Sequence, residues 1–252
     1  MLLAILPLAL LRPNAPASNM IKLILPVLLG IVLLWSCSKS MVYSPSLNLS
    51  NKPLREKELD LQGGVELMPE ARTENLDGSK TTFGVSGQIG YGFSDKFSLG
   101  VKGWIDAQGR EDVARFGVAL QGQVVKITGP TNRLLLVPRI GLAFQGDQIA
   151  GYGLGSSAVF QKTLSGRTAW HFGAGLAWGF RYLDRDTNAA GENKIPMGFG
   201  LLGHIGFVWE FAPGLRLSAE ATPLYQINTF DKNQQFMVSP QLGLGYTFRR
   251  DN

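Results

Sequence analysis

The stretch TAWHFGAGLAWGFRY, Thr168–Tyr182, constrains the fold more than any other part of the chain. Every second residue from Thr168 reads Thr, Trp, Phe, Ala, Leu, Trp, Phe, Tyr. The intervening set is Ala169, His171, Gly173, Gly175, Ala177, Gly179 and Arg181. A period of two marks a strand with two different surroundings. One face is aliphatic and aromatic; the other is small, with a His and an Arg among glycines. A soluble barrel or sandwich would turn the greasy face inward and coat the other with charge. The second face here has too little bulk and charge for that, so the strand reads as apolar outside and polar inside.

The same alternation recurs, giving ten segments separated by turn signals. The first is EKELDLQGGVEL, with Leu59, Leu61, Val65 and Leu67 opposite Glu58, Asp60, Gln62 and Glu66. TFGVSGQIGYGF and FSLGVKGWID follow the same rule. RFGVALQGQVVKI and NRLLLVPRIGLAFQ follow it less cleanly, and Pro138 weakens the latter as an interior strand. After GYGLGSSAVFQK and the opening stretch come MGFGLLGHIGFVWEF, Leu215–Gln226 and VSPQLGLGYTF. Short links, such as Ser94-Asp95-Lys96 and Ala212-Pro213-Gly214, alternate with longer polar ones near 68–81, 107–114, 183–196 and 227–235. Such a meander has a tight-turn end and a loop end. Its outward aromatics gather toward both ends, as two membrane interfaces require. In lipid the sheet must close on itself. The expected fold is therefore all-β: an antiparallel up-and-down transmembrane β-barrel over residues 54–252, of about ten strands, with eight as the alternative. A soluble, lipocalin-like barrel with its greasy face inside is the competing architecture.

Composition agrees. The chain is 45% apolar and only 17% charged, below the usual quarter. A net charge of +5 without a Lys/Arg run gives no argument for nucleic acid. The lone Cys excludes an internal disulfide, and no Cys/His cluster has metal-ligand spacing.

Residues 1–36 read as a signal segment, with Met20 the natural start, Lys22 the positive region and Leu23–Leu34 an apolar core too short to span a bilayer. The core ends in Leu34-Trp35-Ser36-Cys37, which resembles a bacterial lipobox, although Trp35 is larger than that motif favours. The resemblance implies cleavage before Cys37 and its acylation, and Ser38 in place of an Asp implies sorting to the outer membrane. Residues 37–53, polar and proline-containing, read as a lipidated flexible tether.

No catalytic motif is present: there is no G-x-S-x-G, and GYGLGS at Gly151–Ser156 lacks a strand–turn–helix context for phosphate. His171 and His204 fall on inward faces of neighbouring strands, diagonally apart. A hydrolase in the barrel wall would take Glu210 or Glu66 as orienting acid, but spacing ties no serine or acid to either His, so luminal filling is the preferred reading. The inward charges Glu66, Lys102, Arg115, Arg139, Arg181, Glu210, Arg216 and Glu220, with the two His, are expected to form a luminal network. A ten-stranded barrel is barely wider than one that side chains fill, so a closed lumen is preferred to a narrow channel. Gly175 reads as a luminal position tolerant of a small hydroxyl.

Taken over Leu54–Phe248, the chain resembles the small outer-membrane β-barrel superfamily of Gram-negative bacteria, with a lipoprotein-type signal attached. The terminal strand ending at Phe248 resembles those read by the barrel-insertion machinery, though Arg249–Asn252 follow it. The resemblance implies an outer-membrane location with both termini periplasmic, contact with outer-membrane lipid, and no cofactor. It points to a non-enzymatic structural or interaction barrel, or a narrow porin-like channel, with a lipid-modifying enzyme on the barrel wall as the alternative.

Overall fold

The structure is a computed structural model that describes residues 46–50, 52–68, 82–106, 115–145, 148–181, 197–228 and 234–249. Ten strands make up the fold: β1 (Leu59–Met68), β2 (Thr82–Ser94), β3 (Phe97–Asp106), β4 (Arg115–Ile127) and β5 (Asn132–Gln145) come first. They are followed by β6 (Gln148–Ser165), β7 (Thr168–Arg181), β8 (Met197–Ala212), β9 (Leu215–Asn228) and β10 (Gln234–Phe248). Each pairs antiparallel with its sequence neighbour, and β1 pairs with β10 from Leu59↔Phe248 to Glu66↔Gln241, closing the barrel. The strand number is ten, so the eight-stranded alternative falls away.

Alternation decides which face meets which surroundings. Phe172 is 58% exposed and Leu176 51%, while their β7 neighbours Ala169 and His171 are buried. The outward set carries Phe83, Ile89, Leu134, Trp178, Ile205, Trp209, Leu242 and Phe248, all exposed. The inward set includes Lys102, Gln121, Arg139, Arg216 and Glu220, all buried. This arrangement is the reverse of a lipocalin-like barrel, and that alternative is withdrawn. Aromatic contacts mark both ends. Phe93–Phe97 (5.9 Å), Trp170–Phe207 (5.5 Å) and Tyr246–Phe248 (4.7 Å) lie toward the tight turns, and Phe116–Phe144 (4.9 Å) and Trp178–Phe199 (5.9 Å) toward the loops.

Proline shapes two seams. The β4–β5 ladder has no pairs between Gln121↔Arg139 and Val124↔Leu136, where Pro138 brings no N–H and packs its ring over Gly122. The β8–β9 ladder breaks likewise between Leu202↔Leu224 and Ile205↔Ala221, with Pro223 over Gly203. Pro138 therefore interrupts one seam of β5 without ending the strand, because its ring sits on the outer face. At the tight-turn end Gly214 takes φ +78°, a conformation that only glycine adopts freely.

Inside, the barrel is neither empty nor uniform. Residues 46–50, part of the stretch whose composition suggested a tether, are buried within it. Their Leu47 and Leu49 complete an apolar cluster with Val125, Leu135, Val137 and Val159. A second apolar layer, Trp104, Ala119, Ala143, Ala177, Leu202 and Leu224, lies nearer the loop end.

Candidate functional site in the barrel lumen

The luminal site is built around Ser46-Leu47-Asn48-Leu49-Ser50, whose alternating polar and apolar residues match a lumen that is itself divided into polar and apolar walls. The segment's main-chain and side-chain groups meet partners from five different strands. Ser46 Oγ donates to Glu66 Oε2 on β1 at 2.6 Å. Lys102 Nζ on β3 donates to the Ser46 carbonyl at 3.0 Å and to Ser46 Oγ at 2.5 Å, and stands 3.9 Å from Glu66. The Leu47 N–H donates to Glu220 Oε1 on β9 at 2.8 Å, and Gln121 Nε2 on β4 donates to the Leu47 carbonyl at 2.6 Å. Gln62 Nε2 reaches Asn48 Oδ1 at 3.3 Å, and Gln161 Nε2 on β6 reaches the Ser50 carbonyl at 2.7 Å. Asn48 has φ 52°, a left-handed turn of chain that Asn tolerates better than most residues. Backbone groups taken out of water must be paired. Here the barrel wall supplies the partners for Leu47 and for the carbonyls of Ser46 and Ser50.

Glu220 is the hub. Its Oε1 also accepts from Thr222 Oγ1 at 3.1 Å and lies 3.4 Å from His204 Nδ1, while its Oε2 is 3.7 Å from His171 Nε2. On the far side of the imidazole, His204 Nε2 is 2.9 Å from Ser157 Oγ. Ser157 belongs to β6 and His204 to β8, with β7 between them. The β7 residues in register are Gly175 opposite Ser157 and Gly173 opposite His204, so no side chain blocks the reach. The same proximity corrects the expectation for Gly175: a Cβ there runs into Ser157 Oγ, so the position does not accept serine freely. His171 packs its ring directly over Gly206, where any Cβ would collide. The register His171↔Gly206 and Gly173↔His204 keeps the two imidazoles diagonal, as the sequence implied.

Other charges lie apart from this group. Arg216 makes a two-armed pair with Asp60, Nη1–Oδ1 and Nη2–Oδ2 both at 2.6 Å, and also donates to Thr247 Oγ1 and Gln62 Oε1. Glu210 sits at the tight-turn rim, accepting from the Gly214 N–H at 2.9 Å and from Arg249 Nη2 at 2.8 Å. Arg139, by contrast, is buried on the inward face of β5 and belongs with the Glu220 group, near enough for its charge to act on Lys102 and His204. Arg115 and Arg181 occupy β4 and β7, but their side chains lie outside the described set, as does the whole of Cys37. Of the ten inward residues singled out from sequence, Glu66, Lys102, His171, His204 and Glu220 thus gather near Ser46 and Leu47. Arg216 and Glu210 serve the tight-turn end. The sequence reading missed Asp60, Gln62, Gln121, Ser157, Gln161 and Thr222 as participants. The signal for all six is their inward parity, which carries no weight until the neighbouring strands are in register. Among the described residues, no group of three His, Cys, Asp or Glu is placed to hold a metal.

No protein-family description and no curated protein matches the chain. Among solved structures the chain is similar to outer-membrane proteins. An outer-membrane channel of Pseudomonas putida F1 is 10% identical with a TM-score of 0.44, over 79% of this chain and 98% of that one. The N-terminal β-barrel domain of Pseudomonas aeruginosa OprF is 12% identical with a TM-score of 0.35, over 77% and 98%. The outer-membrane protease OmpT of Escherichia coli is 8% identical with a TM-score of 0.37, over 76% and 94%.

Proposed function

We propose that this chain is an outer-membrane β-barrel lipoprotein of a Gram-negative bacterium, acting as a structural or interaction barrel whose lumen is closed by its own N-terminal segment. The outward face supports the membrane reading: large apolar side chains stand exposed on all ten strands, and water would not tolerate so much continuous apolar surface. The single observation that carries the closed-lumen reading is the pairing of Ser46–Ser50 with β1, β3, β4, β6 and β9 at once. A segment bonded on so many sides fills the bore rather than lining it. Delivery to the membrane fits the terminal strand ending at Phe248, and anchoring fits acylation at Cys37. Planar-bilayer conductance of the refolded barrel is the test. The wild type should be silent, and a variant lacking residues up to Ser50 should pass a small current; steady conductance by the wild type overturns the closed-lumen reading.

One observation favours a second reading, a hydrolase in the barrel wall. Ser157, His204 and Glu220 have the connectivity of a nucleophile, a base and its orienting acid. Against it, Ser157 is fully buried and the Leu47 N–H already occupies the Glu220 oxygen nearest His204. A fluorophosphonate probe should leave Ser157 unlabelled in both the wild type and the segment-deleted barrel. Labelling that disappears in Ser157→Ala would establish the enzyme instead.

A further inference from the structure

The direction in which the luminal segment runs has a topological consequence. Ser46 is held by Glu66, two residues from the loop-side end of β1, and by Lys102 in the middle of β3. Leu47 is held midway, by Gln121 and Glu220. The Ser50 carbonyl is held by Gln161, four residues from the tight-turn end of β6. Beyond it, Leu54 and Arg55 pack against Gly90 and Gly92, beside the β2–β3 turn, and Lys57 N–H bonds the Gly92 carbonyl at 2.7 Å. From there β1 starts at Leu59 and climbs back. The chain therefore descends through the lumen from the loop half to the tight-turn rim before the first strand begins.

We propose that the chain enters the barrel from the loop end, so that Cys37 and the residues between it and Ser46 belong to the loop side of the membrane. This rests on the outer-membrane reading above and replaces a periplasmic N-terminus with one at the cell surface. The tight-turn end is filled by Arg216 with Asp60, Thr247 and Gln62, and by Leu49 against Val125 and Leu135. Toward the loop end the inward apolar layer is built partly of small side chains, Ala119, Ala143 and Ala177, beside Trp104, Leu202 and Leu224. Reach is sufficient too: an extended chain gains about 3.3 Å per residue, so residues 38–45 clear half of an apolar band about 25 Å tall. Acyl chains on Cys37 would then sit in the outer leaflet, and the barrel would be a conduit that presents its own lipidated end.

Thiol labelling of cells tests this, with a membrane-impermeant maleimide and three single substitutions in the otherwise unaltered chain. Ser40→Cys reports the upstream segment, Asp95→Cys the β2–β3 turn, and Ala190→Cys the β7–β8 connection. In intact cells Ser40→Cys and Ala190→Cys should label to a similar extent, and Asp95→Cys only after permeabilisation. The unsubstituted chain is the blank; if Cys37 is not acylated, its own thiol reports the same side. Ser40→Cys behaving like Asp95→Cys overturns the proposal while leaving the membrane barrel standing. All three labelling alike in intact cells overturns both. In parallel, Asn48→Cys with Gln62→Cys should be joined by a short bismaleimide in native membranes, and failure to crosslink removes the luminal path on which the proposal depends.

Discussion

The Leu47 N–H and Glu220 Oε1 meet at 2.8 Å inside the barrel, 173 residues apart in sequence. One carboxylate thereby ties the N-terminal segment to β9 while orienting His204 and accepting from Thr222. Glu220→Ala leaves a buried N–H and its neighbours without that acceptor, at about 1–3 kcal/mol for each group left unsatisfied. Glu220→Gln keeps an acceptor oxygen and should retain more of the stability. Urea unfolding in vesicles measures the loss, and trypsin cutting at Lys52, Arg55 or Lys57 measures release of the segment. Equal behaviour of the two variants would remove Glu220 from its role as hub.

Leu176 is the clearest lipid-facing probe. It stands outward and 51% exposed on β7, between Gly175 and Ala177 on the inner face. Leu176→Arg should cost about 2–4 kcal/mol, the value for a cation at mid-membrane on a barrel exterior. A fluorophore on Leu176→Cys should be quenched by lipid-borne spin labels and hidden from aqueous reagents. Quenching at a Gly175→Cys site instead would turn the barrel inside out.

The contrast between Leu176 and Gly175 shows where sequence reading succeeds and where it stops. Period-two patterning and turn residues suffice for ten strands, their faces and their order, because those features are local. Pro138 weakens the β4–β5 ladder as its residue type predicts, but that Gly122 receives its ring and the strand continues is a fact set by register between strands. Ser157 is an ordinary inward serine until β7 contributes Gly173 and Gly175 at the crossing to His204. Ser46–Ser50 carry the composition of a linker, and only the closed barrel supplies the wall that turns their polar atoms into bonds. Contacts between strands and across the lumen have no signature in one strand's periodicity.

Glycine divides into room and necessity, and two substitutions, one on each face of the barrel, separate them. Gly206→Ala forces the His171 ring away from β8, an overpacking strain of about 1–3 kcal/mol. Gly87→Ala, whose added carbon would come no nearer than 3.8 Å to Gln62 O, should be neutral or stabilising by up to about 1 kcal/mol. Chemical unfolding of the two variants side by side should give opposite signs, and equal destabilisation would mean that the His171 packing is immaterial.

Arg216 and Asp60 form a two-armed ion pair inside the barrel, with side chains 1% and 4% exposed. Arg216→Met strands a buried carboxylate and should cost about 3–5 kcal/mol. Adding Asp60→Leu to it should restore much of that loss, because no orphaned charge then remains. A double variant as unstable as the sum of the two singles would show the pair to be uncoupled.

Acylation of Cys37 is checked directly by growing cells with an alkynyl fatty acid and coupling a fluorophore to the recovered protein. Label should be present in the wild type and absent in Cys37→Ser. Equal label in both would move the modification elsewhere.

Closure through β1 and β10 has a consequence for the order of assembly. Leu59 and Phe248 are partners drawn from opposite ends of the described chain, so their seam closes the longest loop in the fold and is the slowest contact to form. Ser46–Ser50 bind β4, β6 and β9, none of which needs that seam to exist. Those three contacts are free to form before the ring shuts. If Cys37 is acylated on the loop side as proposed, the shut ring encircles a segment anchored at both ends, and the topology is that of a lasso.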